Sequence, residues 1–176
     1  MHDAFSALEV LHNMVTEGAG LCAQELEVAH GHKAACGLGC TRCCLDDLTV
    51  FEIEAEAIRR SHAELLSEGE PGPAGACAFL NAAGGCRIYE QRPYVCRTQG
   101  LPLRWLEPDG EGGGIEYRDI CPLNENPDGQ PLVEISADVF WTIGEWESKL
   151  RMLQEMQDGG EGRRVALRAL FQADSD

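Results

Sequence analysis

The sequence predicts a small α+β domain, mainly helical, with short strands and irregular cysteine-rich loops between N- and C-terminal helices. Three observations lead to this class. Apolar residues recur at helical spacing near both ends of the chain. Between the ends lie two cysteine-bearing segments that contain glycine and proline and lack apolar periodicity. Short runs such as CAFL and CRIY flank a turn sequence, which is typical of brief strands.

The N-terminal part predicts two helices separated by a loop. Residues 3–29 carry apolar side chains at helical spacing, with Gly18 and Gly20 as candidate breaks. Residues 30–47 are glycine-bearing and aperiodic, and we expect a loop there. Thr49 and Glu52 fit a T-x-x-E capping box, which predicts the start of a second helix. The proline- and glycine-rich run EGEPGPAG ends this helix.

The middle of the chain predicts short strands and turns. CAFL and CRIY are expected to pair as strands across the turn NAAGG. Residues 101–106 and 115–121 are expected to form a second hairpin across the loop EPDGEGGG. The run PLNENPDGQP that follows predicts a turn-rich connection.

The C-terminal part predicts the strongest amphipathic helix, over residues 136–157, with Ser136 as its N-cap and Gly159 at its end. A last short helix is expected over residues 163–171. The apolar stripe is about two heptads long, so we expect it to pack on its own domain rather than to form a dimer seam. The stripe consists of Val139, Ile143, Trp146, Leu150 and Leu153.

Composition and charge restrict the class of function. The formal net charge is -16, which disfavours nucleic acid and anionic membrane surfaces as partners. The chain opens without a basic, then apolar, leader and has no apolar run long enough to span a membrane. We therefore expect a cytoplasmic protein, in which thiols stay reduced.

Cysteine spacing is the main chemical feature of the sequence. Of 9 cysteines, Cys22 lies in a helical pattern and is expected to be a core residue. Short spacings let one loop present several thiolates to one ion, so the other eight predict metal ligation that staples the fold. They divide either into two four-cysteine sites or into one such site and a differently built one. Because neighbouring side chains diverge, the adjacent Cys43 and Cys44 either serve different sites or bridge two metals. The predicted ligands are Cys36, Cys40, Cys43, Cys44, Cys77, Cys86, Cys96 and Cys121.

Two motifs carry a resemblance to a known family. The stretches GCTRCC, at residues 39–44, and GGCRIYEQRPYVCR, at residues 84–97, resemble the YkgJ-type CxxCxxCC family, described as a zinc- or iron-chelating domain. The resemblance spans residues 36–121. It implies metal chelation, with zinc or an iron–sulfur centre, including the 4Fe-4S type, as cofactor. A related cysteine cluster in flagellin lysine methylases implies redox or methyl-transfer work as an alternative.

Three side chains beside the cysteines are expected to support the bound metal. Arg92 and Arg97 bracket Cys96 and are expected to donate hydrogen bonds to sulfur or offset its charge. Tyr89 is expected to hydrogen-bond a ligand or to pack. His30 and His32 precede the first cluster and are candidate extra ligands.

The predicted function is metal binding within one domain over residues 1–176, with helical extensions at 1–29 and 136–176. Metal ions are the expected partners, and a protein partner is a further option. An alternative is an iron–sulfur enzyme or accessory protein; another is an interaction module with structural zinc, whose surface is the Trp141–Trp146 region. The sequence has no Walker loop, nucleophile elbow or HExxH motif, and it leaves open whether the protein is an enzyme.

Overall fold

The chain folds into helices and short strands over the residues that the computed structural model describes, which are 4–30, 34–37, 39–125 and 131–172. Helices account for 47% of the structure, which confirms the predicted α+β class with helix predominant. The elements are α1 (Ala4–His30), β1 (Thr49–Phe51), α2 (Glu52–Ser61), α3 (Ala63–Glu68), α4 (Tyr94–Arg97), β2 (Leu103–Pro108), β3 (Gly114–Asp119), β4 (Trp141–Thr142), α5 (Glu145–Asp158) and β5 (Arg164–Ala166). Short 3₁₀ helices cover Tyr89–Gln91, Leu132–Glu134, Ala137–Val139 and Leu167–Phe171.

Helix α1 is continuous, as its apolar periodicity predicts, and Gly18 does not break it. A Cβ atom at Gly18 would lie 3.1 Å from Cζ3 of Trp141, so glycine lets α1 approach the indole ring closely. Cys22 is buried in this interface, and its thiol donates a hydrogen bond to the carbonyl of Val139 at 3.1 Å. The prediction that Cys22 is a core residue is therefore confirmed.

Two small sheets tie distant parts of the chain together. Strands β1 and β5 pair antiparallel, with Thr49 opposite Ala166. Strand β2 lies between β3 and β4. It pairs antiparallel with β3, with Leu103 opposite Asp119, and parallel with β4, with Leu103 also opposite Trp141. The hairpin predicted across EPDGEGGG is confirmed as β2–β3. No local sequence pattern predicts the pairings of β1 with β5 and of β2 with β4.

The capping box predicted at Thr49 and Glu52 is wrong. Thr49 lies in β1, and α2 begins at Glu52 without a side-chain cap from the preceding residue. The N–H of Glu52 instead donates to the carbonyl of Arg163 at 3.0 Å. The N–H of Ile53 donates to Oε1 of the fully buried Gln154 on α5 at 2.7 Å. The helix start is therefore capped from a distant segment.

The C-terminal amphipathic helix starts later than predicted. Residues 136–144 are not part of it, because Trp141–Thr142 pairs with β2 as strand β4. Ser136 precedes a 3₁₀ helix and makes no side-chain cap there. Helix α5 begins instead after Gly144, whose N–H donates to the Glu147 carboxylate at 2.6 Å. Pairing with another strand has outweighed the helical spacing of the apolar residues.

The C-terminal end of α5 agrees with the sequence, but the segment beyond it does not. Gly159 ends the helix in the left-handed conformation, as expected. The short helix predicted over residues 163–171 is wrong in its first half, because Arg164–Ala166 forms β5. Its second half is the 3₁₀ helix Leu167–Phe171. Pairing with β1 accounts for the difference.

The strands predicted in CAFL and CRIY are also wrong. The two runs approach each other through a single β-bridge between Leu80 and Cys86, outside any regular strand. The turn between them is held by the side chain of Asn81, whose Oδ1 accepts hydrogen bonds from the N–H groups of Ala83 and Gly85. This side-chain turn satisfies the backbone groups locally, so no ladder extends from it.

Helix α5 packs on its own domain, as expected. Leu150 is buried in a core cluster that also contains Val15 of α1 and Ile53 of α2. Trp141 is buried beside them, and its Nε1–H donates to the hydroxyl of Tyr94 at 3.1 Å. Trp141 therefore belongs to the core rather than to a partner surface. Among the residues that the structure describes, none of the helices has the length and apolar character needed to cross a membrane.

Asp158 closes the turn between α5 and β5 and gives a pH-dependent contribution to stability. Hydrogen bonds from the N–H of Arg163 and the side chain of Gln154 lower the pKa of Asp158 from 3.8 to about 2. Because the folded-state pKa is depressed, the stabilisation is present above the unfolded-state pKa and is lost as pH falls through about 2. We expect a carboxyl titration by NMR to give a midpoint near 2, and Asp158→Asn to cost stability at neutral pH but not at pH 2. A midpoint near 3.8 would contradict this account.

Candidate metal centre

The two cysteine segments meet through a backbone hydrogen bond. The N–H of Cys77 donates to the carbonyl of Cys44 at 2.9 Å. On the first segment, tight turns close between Cys40 and the carbonyl of Gly37 and between Cys44 and the carbonyl of Thr41, each at 3.0 Å. Residues 34–37 and 39–47 have no regular secondary structure, as predicted, whereas His30, the first residue of the predicted loop, is the last residue of α1. The first loop is therefore joined directly to the segment that carries the later cysteines.

Cys96 is presented by the single turn of α4. Pro93 precedes this turn with a fixed φ of -64°, and its carbonyl accepts the N–H of Cys96 at 3.0 Å. The N–H of Tyr94 donates to Oε1 of Glu54 at 2.7 Å. Glu54 is only 3% exposed and also accepts a hydrogen bond from Nε2 of His12 at 3.0 Å. A buried carboxylate on α2 thus anchors the turn that carries Cys96.

We call Cys44, Cys77, Cys86 and Cys96 the inner thiol group. Burial raises the pKa of Cys77, of Cys86 and of Cys96, in the last case to about 12. Neighbouring thiols add to these increases, because the charges of Cys77 and Cys86 raise the pKa of Cys96 and that of Cys86 raises the pKa of Cys77. Cys77 belongs to a core cluster that includes Phe79, and Cys44 and Cys86 pack against that cluster. The members of the inner thiol group therefore share one partly buried environment.

The adjacent pair Cys43 and Cys44 differs from the other thiols. A hydrogen bond from Cys44 lowers the pKa of Cys43 to about 6, and the charge of Arg92 contributes. The same bond raises the pKa of Cys44, with burial and the charges of Cys77 and Cys96 adding to it. Cys43 is therefore the thiol of this region that ionises most readily.

We call Cys36, Cys40 and Cys121 the outer thiol group. Burial raises the pKa of Cys36, a hydrogen bond from Asn124 opposes this, and the charges of Cys40, Cys121 and Cys43 add to the increase. Cys43 therefore interacts with the outer thiol group through Cys36 and with the inner thiol group through Cys44. Whether the adjacent pair serves two different sites or bridges two metals stays a prediction.

Asn124 contacts Cys36 and Cys121 of the outer thiol group, a role that no local sequence pattern indicates. Its side chain is 1% exposed, and its Oδ1 accepts the N–H of Ala35 at 2.8 Å. Its Nδ2 donates to the carbonyl of Gly100 at 2.7 Å and to Sγ of Cys36 at 3.4 Å. One buried amide thus links the first cysteine loop to the segment after Cys96 and to the turn after Cys121.

Gly100 gives a direct test of this packing. Its φ is +88°, and a Cβ atom there would overlap Sγ of Cys36. We expect Gly100→Ala to cost about 1–2 kcal/mol for the left-handed backbone and a further amount for displacing Cys36. Urea unfolding measures the loss. The matched control is Gly110→Ala, at φ +81° with no atom within 4 Å, which carries only the backbone cost. Equal losses in the two variants would contradict the proposed contact.

The three side chains expected to support the metal are Arg92, Tyr89 and Arg97, and they make different contacts. Arg92 stacks on the ring of Tyr89, 3.6 Å from its centroid, and its charge lowers the pKa of Cys43 and of Cys86. Tyr89 is 56% exposed, and among the described residues its carbonyl, but not its hydroxyl, takes part in a hydrogen bond, which comes from Arg92. The charge of Arg92 therefore acts on Cys43 and on Cys86 of the inner thiol group. Tyr89 holds Arg92 in place through its ring and its carbonyl.

Arg97 points its donors at the protein rather than at sulfur. Its guanidinium donates to the carbonyl of Arg92 at 2.7 Å, to the carbonyl of Glu90 at 2.9 Å and to the hydroxyl of Thr16 on α1 at 2.7 Å. No hydrogen bond from Arg97 to a thiol occurs in the described part of the chain. These contacts fix the position of α4, and so of Cys96, against α1.

Arg168 is a further residue that sequence reasoning missed. From the C-terminal 3₁₀ helix it forms an ion pair with Asp46, which follows the first cysteine loop. It also donates to the carbonyls of Gly72, Pro73 and Ala76, the last at 2.9 Å and adjacent to Cys77. A carboxylate and three carbonyls are thus gathered around one guanidinium. The end of the chain therefore fixes both cysteine segments.

The arrangement of donors can be compared with what a metal needs. All nine cysteines are free thiols, the ligand type that zinc and iron–sulfur clusters prefer. Within residues 4–30, 34–37, 39–125 and 131–172, no three His, Cys, Asp or Glu side chains are already arranged to hold one ion. His32 and the side chain of His30, the candidate extra ligands, lie outside what the structure describes. The donor chemistry fits zinc or iron, and the thiols lie in two neighbouring groups.

Comparison with known proteins identifies the central part of the chain. No curated protein and no solved structure matches it. The matching family model covers both cysteine motifs, at residues 39–44 and 84–97, and continues through strand β2. Cys121 and Asn124 lie beyond the matched segment. Residues 35–111 match the CxxCxxCC family, described as a "putative zinc- or iron-chelating domain", which confirms the resemblance that the cysteine motifs indicate.

Proposed function

We propose that this protein binds zinc or iron through its eight clustered cysteines, in two four-sulfur sites. The inner thiol group supplies one site, and the outer thiol group together with Cys43 supplies the other. The observation that carries the proposal is the backbone hydrogen bond from Cys77 to Cys44, which joins two cysteine segments that are distant in the sequence. The description of the matching family supports metal as the ligand.

The surroundings of the thiols favour a site that closes on binding. Rotation about χ1 moves each cysteine sulfur without moving the backbone, so neighbouring thiols are brought to one ion by small changes. The backbone segments that carry the cysteines are held by hydrogen bonds from or to Glu54, Asn124 and Arg168. Arg92 offsets part of the negative charge of the thiolates. Zinc held by four thiolates supplies structural cross-linking and leaves no open position for a substrate.

Both ends of the chain belong to this metal-binding domain in our proposal. Helix α1 contributes Thr16 to the contacts of Arg97, and the C-terminal 3₁₀ helix contributes Arg168. The helical extensions at residues 1–29 and 136–176 therefore support the central segment rather than form a separate unit. Truncating residues 159–176 is expected to lower metal content together with stability.

An iron–sulfur centre with redox or catalytic work is the second candidate. The positive charge of Arg92 beside Cys43 and Cys86 favours it, since charges and hydrogen bonds near the sulfurs tune the potential of such clusters. Methyl transfer, by relation to flagellin lysine methylases, belongs to this candidate. The outer thiol group is the more exposed of the two and is the place where such chemistry meets solvent.

Purification without oxygen, followed by metal analysis and a visible spectrum, tests the proposal. A colourless protein with about two zinc ions per chain supports two closed four-thiolate sites. A brown protein with iron and sulfide supports the second candidate. Copurification of neither metal, with no uptake of zinc or iron by the reduced protein, would overturn metal binding altogether.

A further inference from the structure

A cavity of about 460 Å³ is lined by residues of α1, α2, the segment before α4 and the end of α4. Its volume is in the range of pockets that hold small molecules, about 300–1,000 Å³. Apolar walls come from Phe5, Leu8 and Ala57, and the remaining lining residues are mostly polar or charged. No cysteine lines the cavity, although Glu54 and Arg97, which do, also hold the turn that carries Cys96.

The buried end of the cavity carries a paired histidine and carboxylate. Nε2 of His12 lies 3.0 Å from Oε1 of Glu54, and the two side chains are 12% and 4% exposed. An ionised carboxylate only accepts hydrogen bonds, so the imidazole donates from Nε2. The other ring nitrogen, Nδ1, accepts a hydrogen bond in neutral histidine and donates one in protonated histidine. Among the described residues that nitrogen, Nδ1, has no hydrogen-bond partner, which leaves it for a ligand.

Charges of both signs line the rest of the cavity. Arg60 and Arg97 are cationic, whereas Glu9 and Glu90 are anionic. Arg60 lies over the ring of Phe5, 3.7 Å from its centroid, and donates through Nε to Glu56 at 2.9 Å. Within the described part of the chain, the terminal nitrogens of Arg60, Nη1 and Nη2, donate no hydrogen bond. The cavity therefore offers guanidinium donors, carboxylate acceptors and an apolar wall together.

We propose that this cavity binds a small zwitterion with an apolar side chain, of the α-amino-acid class. The Arg60 guanidinium holds the ligand carboxylate. Glu9 and Glu90 accept hydrogen bonds from the ammonium group, and Nδ1 of His12 hydrogen-bonds either the ammonium or the carboxylate group, according to its protonation. The apolar side chain lies against Leu8 and Ala57.

Ligands with a single charge fit this lining less well. An anion meets two exposed carboxylates in a protein whose formal net charge is -16. A cation meets two arginines. A neutral apolar molecule forms no ion pair with the charged side chains that line the cavity. Only a ligand with both charges satisfies the donors and the acceptors at once.

Isothermal titration of the metal-bound full chain with L-valine, L-leucine, L-phenylalanine and L-methionine tests the proposal. We expect at least one of them to bind with one-to-one stoichiometry. For that amino acid, the N-acetyl form and the amide form each lose one charge and are expected to bind at least about tenfold more weakly. Metal content, measured in the same samples, keeps this test separate from that of the metal sites.

A pair of matched variants checks the location. Arg60→Gln removes the guanidinium of an i,i+4 pair with Glu56 on α2 and is expected to weaken binding at least about tenfold. Arg151→Gln removes the equivalent pair with Glu155 on α5, far from the cavity, and is expected to leave affinity unchanged. Absence of binding at millimolar amino acid, equal binding of the N-acetyl form, or equal weakening by the two variants would overturn the proposal.

Discussion

Replacing Cys96 with serine is expected to remove about one metal equivalent and to lower the melting temperature by about 10 °C or more. Cys96 lies in the inner thiol group, where the charges of Cys77 and Cys86 act on it. Metal binding and folding are linked, so the free energy lost with the ion appears as lost stability. A loss of about 5 kcal/mol corresponds to this shift, because each kcal/mol changes the melting temperature of a domain of this size by about 2–4 °C.

The matched control for Cys96→Ser is Cys22→Ser. Both substitutions exchange one sulfur for oxygen, but Cys22 lies in the α1 interface and not in either thiol group. A serine hydroxyl can still donate to the carbonyl of Val139, so we expect a loss of only about 1 kcal/mol and unchanged metal content. Thermal unfolding and metal analysis of the two variants decide the matter. Unchanged metal content in Cys96→Ser would remove this cysteine from the proposed site.

Replacing Glu54 with leucine is expected to cost about 3 kcal/mol in the free energy of unfolding. The buried carboxylate accepts the N–H of Tyr94 and Nε2 of His12, and each donor left without a partner costs about 1–3 kcal/mol. The N–H of Tyr94 belongs to the first turn of α4, where helix geometry offers no internal acceptor. Cys96 is carried by that turn, so metal affinity is expected to fall as well.

The control for this variant is Glu54→Gln, which keeps an acceptor oxygen at nearly the same volume. We expect Glu54→Gln to lose about 1 kcal/mol, in line with replacement of a charged by a neutral acceptor. Urea unfolding of wild type and both variants, at fixed metal concentration, measures the difference. If leucine and glutamine at this position were equally tolerated, the carboxylate would not anchor the turn as described.

Local patterns in the sequence predicted the elements whose causes are local. The periodicity of α1, the glycine end of α5 at Gly159 and the β2–β3 hairpin are all read correctly from neighbouring residues. The start of α5 was placed too early because Trp141 pairs with Leu103, a partner that helical spacing does not reveal. The capping box failed at Thr49 for the same reason, since β1 pairs with a strand near the end of the chain.

For the candidate site, the sequence indicated the thiols but not the residues that hold them. Cysteine spacing predicts that both segments carry ligands, and a backbone hydrogen bond between Cys77 and Cys44 joins the two segments in the structure. Asn124, Glu54 and Arg168 act through contacts with residues far away in the chain, and nothing in their local sequence marks them. The charges of Arg97 and Cys96 interact, while the hydrogen-bond donors of Arg97 are used by backbone carbonyls and by Thr16. The spacing of cysteines in the sequence predicts the candidate metal ligands, whereas the residues that hold those ligands are determined by the tertiary fold.

X-ray absorption spectroscopy of the protein as isolated without oxygen tests the central claim most directly, because it measures the atoms bound to the metal. For zinc, we predict four sulfur neighbours at about 2.3 Å and no nitrogen or oxygen neighbours at about 2.0–2.1 Å. For iron, we predict sulfur neighbours as well, with a second iron nearby if a cluster is present. A metal surrounded only by oxygen and nitrogen would contradict binding by the inner and outer thiol groups.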